Sequence, residues 1–187
     1  EHLQHVERDR LEQEEAFRAL LEAAANWLER RYGVQADPET RLMALNGTRE
    51  GLYNAMMALC PETKRGRQPA VLVPNPFYQV YMVAALSVGA EPVFLPATKE
   101  NGFLPDFSEV PGDILNQVTV AYLCSPSNPQ GAVARDDYWR DLIALAERHD
   151  FRIFADECYS EIYRGEAPAG ALEVAHGMGA DPERVVM

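Results

Sequence analysis

Four short segments of the sequence carry residue types that could bind a planar, phosphorylated ring containing nitrogen. They are Asn46-Gly47-Thr48-Arg49, Pro76-Phe77-Tyr78, the run Ser-Pro-Ser-Asn-Pro-Gln-Gly at 125–131, and Asp156-Glu157-Cys158-Tyr159. In order, they offer a glycine loop, an aromatic ring, a side-chain amide, and a carboxylate beside a phenol. Backbone amides can hold a phosphate, and a carboxylate can pair with a cationic ring nitrogen.

The glycine loop at Gly47 and Thr48 lies directly before a helical pattern. The first N–H groups of a helix have no partner within the helix, and the positive end of its dipole favours an anion. An ordinary capped loop is the alternative. The segment is neither a Walker loop nor Gly-x-Gly-x-x-Gly, so nucleotide binding lacks its main sequence support.

The other three segments differ in how well the sequence alone supports a binding role. Tyr78 could instead be a core aromatic at a helix start, and Asn128 could belong only to a turn. Asp156 ends an apolar strand pattern, where a carboxylate is costly to bury without a partner. A cationic ring nitrogen would supply a charge-assisted hydrogen bond worth roughly 1.5–3 kcal/mol.

Alternating β-type and helical patterns must position these segments. Strands are predicted at 41–45, 71–73, 91–95, 118–124, 152–156 and 185–187, with helices near 16–31, 52–59, 78–88 and 137–149. This alternation predicts an α/β fold: a mostly parallel sheet with helices on both faces. Ligands bind such sheets beyond the carboxyl ends of the strands, where the four segments would meet.

The charge balance and the apolar pattern exclude some functions. The 187 residues include 29 acidic and 17 basic ones, a formal net charge of −12. Nucleic acids and anionic membranes are therefore poor partners, because both require excess Lys and Arg. The sequence shows no apolar run of about 20 residues and no secretory leader, so we expect no membrane span and a cytoplasmic location.

The potential metal ligands are few and scattered. Cys60, Cys124 and Cys158 include no Cys-x-x-Cys pair, which argues against a disulfide framework or a structural zinc site and suits a reducing cytoplasm. His2 and His5 lie one helical turn apart without a committed carboxylate. We therefore predict no metal site.

Residues 1–15 are rich in charge and have a thin apolar stripe, which predicts a solvated helix or an arm. They contain no basic helix-turn-helix pattern. Residues 16–187 form the candidate ligand-binding domain.

Taken together and in this order, the four segments resemble the pyridoxal-phosphate-dependent aminotransferases of fold type I, classes I and II. The resemblance extends from about residue 16 to Met187. The segments at 46–50 and 101–106 are similar to the branch labelled N-succinyldiaminopimelate aminotransferases. The resemblance implies an incomplete aminotransferase large domain, a pyridoxal 5'-phosphate cofactor and a homodimer. It also implies transamination between an amino acid and a 2-oxo acid, with N-succinyl-diaminopimelate and 2-oxoglutarate as a candidate pair.

The resemblance further implies a role for each site residue. The backbone amides of Gly47, Thr48 and Arg49 would hold the cofactor phosphate, and Tyr78 would stack on the pyridine ring.

At the other side of the ring, Asn128 and Tyr159 would donate hydrogen bonds to the 3-oxygen, and Asn128-Pro129 would be a cis peptide. Asp156 would pair with the pyridinium nitrogen and keep it protonated. Asp156 and Tyr159 are therefore the predicted catalytic residues.

Two departures from the family pattern stand out. Family members carry a Schiff-base lysine in a Ser-x-Ser-Lys type of motif, and neither Lys64 nor Lys99 lies in one. We expect the sequence to continue past Met187 into that motif, and the present stretch alone to be inactive. The family's Tyr-Pro…Gly segment is also replaced, by residues 11–16, which suggests a divergent member or missing residues.

Two other functions remain open for a chain with this resemblance. One is another reaction of the same fold type, such as C–S β-elimination. The other is a non-catalytic aminotransferase-like sensor domain.

Overall fold

The structure, a computed structural model, describes residues 2–187, with side chains from Glu12 onward. Its contacts divide the chain into two compact units, Glu1–Leu45 and Asn46–Met187. In the first unit, helix α1 runs without a break over His2–Tyr32 and ends with Arg30 and Arg31, where cations favour the helix dipole. The boundary expected between residues 15 and 16 lies inside α1. The side chains of His2 and His5 lie outside the described ones.

The strand predicted at 41–45 is wrong. The Asp37 carboxylate accepts hydrogen bonds from Glu39 N and Thr40 Oγ1, both at 2.9 Å, and residues 38–41 form a turn. Residues 42–45 have no regular secondary structure, and the Met43 side chain is 80% exposed. A short apolar run with nothing to pair with cannot form a strand.

The second unit contains five parallel strands in the order β2-β1-β3-β4-β5. The strands are β1 (Ala70–Asn75), β2 (Glu91–Pro96), β3 (Val118–Cys124), β4 (Arg152–Asp156) and β5 (Val185–Val186). The helices are α2 (Thr48–Leu59), α3 (Gln79–Ser87), α4 (Gly112–Leu115), α5 (Asp136–His149) and α6 (Ala171–Met178). A single 3-10 turn, Phe107–Glu109, precedes α4.

Helices cover both faces of the sheet, as the alternation predicted. Successive residues of β1 point to opposite faces, so Val71 and Val73 pack with α2 and α3 in one buried cluster. Leu72 packs with α5 and α6 in the other. No helix among the described residues is both long enough and apolar enough to cross a bilayer.

Helix α6 was not predicted from the sequence. Its first amide, Ala171 N, donates to Glu157 Oε1 at 2.7 Å, and Gly170 N donates to Glu173 Oε2 at 3.3 Å. Eight residues give a weak periodic pattern, and a capping carboxylate 14 residues earlier in the chain is invisible to local sequence analysis.

Candidate functional site

A cavity of about 450 Å³ opens at the carboxyl edge of the sheet. Its lining includes five of the predicted residues: Thr48, Tyr78, Asn128, Asp156 and Tyr159. Gly47 and Arg49 flank Thr48 in the chain. The strand order reverses between β1 and β3, and ligands of open α/β sheets bind at such a switch point.

The amino end of α2 is where the sequence predicts an anion site. Gly47 has φ 144° and ψ 148°, a conformation that favours glycine. Among the described side chains none caps this helix. Its first N–H groups are therefore available to an anion at the cavity wall, where Thr48 lies.

Tyr78 is an accessible cavity aromatic, 39% exposed, and not a core residue. Arg49 Nε donates to Tyr78 Oη at 2.5 Å, and the guanidinium carbon lies 5.7 Å from the ring centroid. Arg49, which follows the glycine loop, thus contacts the ring that the resemblance assigns to stacking.

Asp156 is held by a residue that the sequence analysis missed. Tyr81 Oη donates to Asp156 Oδ2 at 2.5 Å. The Tyr81 ring is 1% exposed and stacks on Tyr122, with centroids 4.4 Å apart. Burial, and then the charge of Asp156, raise the pKa of Tyr81 well above its usual range, so its hydroxyl remains a donor. In the sequence, Tyr81 lies one helical turn after Tyr78, and that spacing indicates that the two side chains are neighbours on a helix.

Asn128 and Tyr159, both expected to donate to the same ring oxygen, contact each other. Asn128 Nδ2 donates to Tyr159 Oη at 3.1 Å, and the Asn128–Pro129 peptide is cis, which confirms that expectation. The loop is braced internally, because Ser127 Oγ accepts from Ala132 N at 2.9 Å. Asn128 therefore belongs to an internally hydrogen-bonded loop that places its side-chain amide against the Tyr159 hydroxyl.

Two cysteines unexpectedly lie beside Asp156. The thiol sulfurs of Cys124 and Cys158 and a carboxylate oxygen of Asp156 are all within 4.8 Å of one another. Burial and the nearby carboxylate raise the pKa of Cys124 to about 12 and that of Cys158 to about 11. Because Cys124 and Cys158 are far apart in the sequence, their proximity could not be predicted from it. The pairing of β3 with β4 brings them together.

Lys64 is far from this cavity, at the opposite edge of the sheet. Its ammonium donates to the carbonyls of Val118 at 2.6 Å and His149 at 3.1 Å, and also to that of Asp150. Val118 begins β3, whereas the cavity lies at the other end of that seven-residue strand, about 20 Å away at a rise of about 3.3 Å per residue. Lys64 thus binds the carboxyl end of α5 to the start of β3.

A family model described as "Aminotransferase class I and II" matches residues 7–187. The LL-diaminopimelate aminotransferase of Dehalococcoides mccartyi is 36% identical over 160 residues, which cover 85% of this chain and 40% of that protein. The LL-diaminopimelate aminotransferase of Aquifex aeolicus is 33% identical over 153 residues, which cover 81% of this chain and 38% of that protein. This chain thus spans about 40% of the length of the curated relatives it matches.

Solved structures agree with the family model. An aminotransferase from Neisseria meningitidis has a TM-score of 0.82 and 34% identity, covering 90% of this chain and 42% of that chain. A probable N-succinyldiaminopimelate aminotransferase from Thermus thermophilus has a TM-score of 0.74 and 33% identity, and the match covers 88% of this chain and 42% of that chain. The chain therefore belongs to the class I and II aminotransferases.

Proposed function

We propose that this chain forms the cofactor-binding part of a pyridoxal-phosphate-dependent enzyme that transfers an amino group between an amino acid and a 2-oxo acid. The observation that carries the proposal is Asp156, a carboxylate fixed by Tyr81 in the wall of the cavity at the sheet edge. In this proposal residues 16–187 are a partial large domain and residues 1–15 an arm.

The described residues fit this cofactor. The cavity volume lies within the range typical of small-ligand sites. The amino end of α2 would bind the phosphate, and Tyr78 offers an accessible ring for stacking. A carboxylate has about four acceptor positions, so Asp156 can accept a ring N–H while it keeps the hydrogen bond from Tyr81.

The residues of this chain would bind and orient. When bound, pyridoxal phosphate supplies an electron sink for the charge left on a substrate carbon that loses its proton. Asp156 would hold a proton on the ring nitrogen, because a carboxylate stabilises a neighbouring cation. Tyr81 would fix the direction of that carboxylate. Asn128 and Tyr159, already in contact with each other, would donate to the ring's 3-oxygen.

The relatives suggest the substrate class. Curated relatives are named LL-diaminopimelate aminotransferases, and one structural neighbour a probable N-succinyldiaminopimelate aminotransferase. We therefore propose an amino donor of the diaminopimelate type, free or N-succinylated, and 2-oxoglutarate as acceptor. We also propose a homodimer in a reducing cytoplasm, which suits three free cysteines.

A donor screen of the intact protein with pyridoxal phosphate and 2-oxoglutarate tests the proposal. We expect glutamate to form with LL-diaminopimelate or its N-succinyl derivative, and Asp156→Ala to reduce the rate by several orders of magnitude while the fold is retained. Pyruvate and ammonia from cystathionine, without glutamate, would instead show β-elimination. Cofactor binding without turnover of any donor would favour the sensor domain.

A further inference from the structure

Cys124, Asp156 and Cys158 form a cluster of three ligand groups that cofactor binding does not explain. Cys124 ends β3, and its parallel register places it opposite Asp156 of β4. Cys158 follows two residues later. The fold thus brings two thiols to one carboxylate, with all three ligand atoms within 4.8 Å of one another.

This cluster has the chemistry of a site for a thiophilic cation. Two sulfurs and one oxygen suit Zn²⁺ and its heavier congeners, whereas Mg²⁺ and Ca²⁺ prefer all-oxygen sites. In a tetrahedral zinc site the sulfurs lie about 3.8 Å apart, as follows from a Zn–S distance of about 2.3 Å. The three ligand atoms, all within 4.8 Å of one another, are compatible with that spacing.

All three side chains line the cavity, so the fourth position of a tetrahedral site there would be open to water. Cys158 is exposed and Cys124 half-buried, which gives a cation access from the cavity side. The arrangement is that of an open site with three protein ligands and one exchangeable position.

We propose that Cys124, Asp156 and Cys158 bind a thiophilic divalent cation of the Zn²⁺ class, and that this cation and the cofactor exclude each other. Binding forms two metal–thiolate bonds and one metal–carboxylate bond and releases two thiol protons to solvent. No electron is transferred. Exclusion follows because a cation on the carboxylate of Asp156 would repel the protonated ring nitrogen that the cofactor would place against the same group, and this second part rests on the proposed function.

A Cd²⁺ titration of the intact, cofactor-free protein tests the cation site. We expect a thiolate-to-cadmium charge-transfer band that saturates at one equivalent and is lost in Cys124→Ser and in Cys158→Ser. Cys60→Ser is the matched control, because the Cys60 thiol lies near the Thr119 hydroxyl, 3.5 Å away, and outside the cluster. Absence of the band, its survival in Cys158→Ser, or its loss in Cys60→Ser would overturn the site. Cys158 is exposed, so its replacement leaves the core intact.

The exclusion is tested by repeating the Cd²⁺ titration with pyridoxal phosphate present. A drop of at least about tenfold in Cd²⁺ affinity is expected, because the cation must displace the ring nitrogen from Asp156. Independent binding of both ligands would overturn the shared carboxylate. If pyridoxal phosphate does not bind at all, the proposed function fails and the exclusion with it, while the cation site is still decided by the first titration.

Discussion

Tyr81 determines the surroundings of Asp156 through one hydrogen bond and one aromatic stack. Its pKa is raised first by burial and then by the carboxylate. A phenol that keeps its proton donates a hydrogen bond at every pH at which the protein would work. Asp156 is thereby oriented before any ligand arrives.

This arrangement predicts the alkaline behaviour of Tyr81. The unfolded chain loses the phenol proton near pH 10, whereas the folded chain keeps it. The contribution to stability is therefore full below about pH 10 and is lost as the pH rises further. In an absorbance titration between about pH 9 and 11, Tyr81→Phe should leave the tyrosinate signal of the folded protein unchanged. A decrease equal to one phenolate would contradict this protonation state.

Three of the predicted site residues lie at or shortly after the ends of strands. Asp156, Asn128 and Tyr159 could be placed because polar groups after apolar strands gather at one edge of a parallel sheet. The cysteine pair could not, since its position depends on the register of β3 with β4, and the one-turn spacing of Tyr81 from Tyr78 does not by itself indicate a contact with Asp156. Neither the register nor this contact is encoded locally.

At the scale of elements, Lys64 binds the end of α5 to the beginning of β3. It donates to carbonyls at the end of α5 and at the start of β3, and burial lowers its pKa. One of only two lysines in the chain thus has a structural role away from the cavity.

Replacing this lysine should affect stability and not cofactor binding. Lys64→Met removes the donor from these carbonyls and should lower the free energy of unfolding by about 2 kcal/mol. Denaturant unfolding measures this change, and Lys99→Met, at an exposed loop position, is the matched control. Borohydride trapping of pyridoxal phosphate specifically on Lys64 would contradict its structural assignment.

The elements were predictable where burial dictates the pattern. The strands at 118–124 and 152–156 were correct because a strand covered on both faces is a continuous apolar run. The run at 41–45 is similar in composition but has no strand beside it, and α6 depends on the distant carboxylate of Glu157. Pairing and capping over long distances are absent from local patterns.

At the scale of the whole molecule, the acidic balance and the family resemblance make separate predictions. The resemblance implies active sites at a subunit interface, so sedimentation equilibrium of the intact protein should give twice the monomer mass. A monomer mass throughout the accessible concentration range would remove the homodimer from the proposal.

The net charge of −12 continues to predict no binding to nucleic acid, since phosphate contacts require clustered cations.

The central claim is that Asp156 anchors the ring of pyridoxal phosphate. Its most direct test is the dissociation constant of that cofactor, measured by absorbance titration of the intact apoprotein and of Asp156→Asn. Asp141→Asn, at an exposed position on α5, is the control. Loss of a charge-assisted hydrogen bond of about 1.5–3 kcal/mol predicts that Asp156→Asn binds pyridoxal phosphate about 10- to 150-fold more weakly. Asp141→Asn should bind it with unchanged affinity. Equal affinity in all three proteins, or no saturable binding by the unmodified protein, would contradict the account.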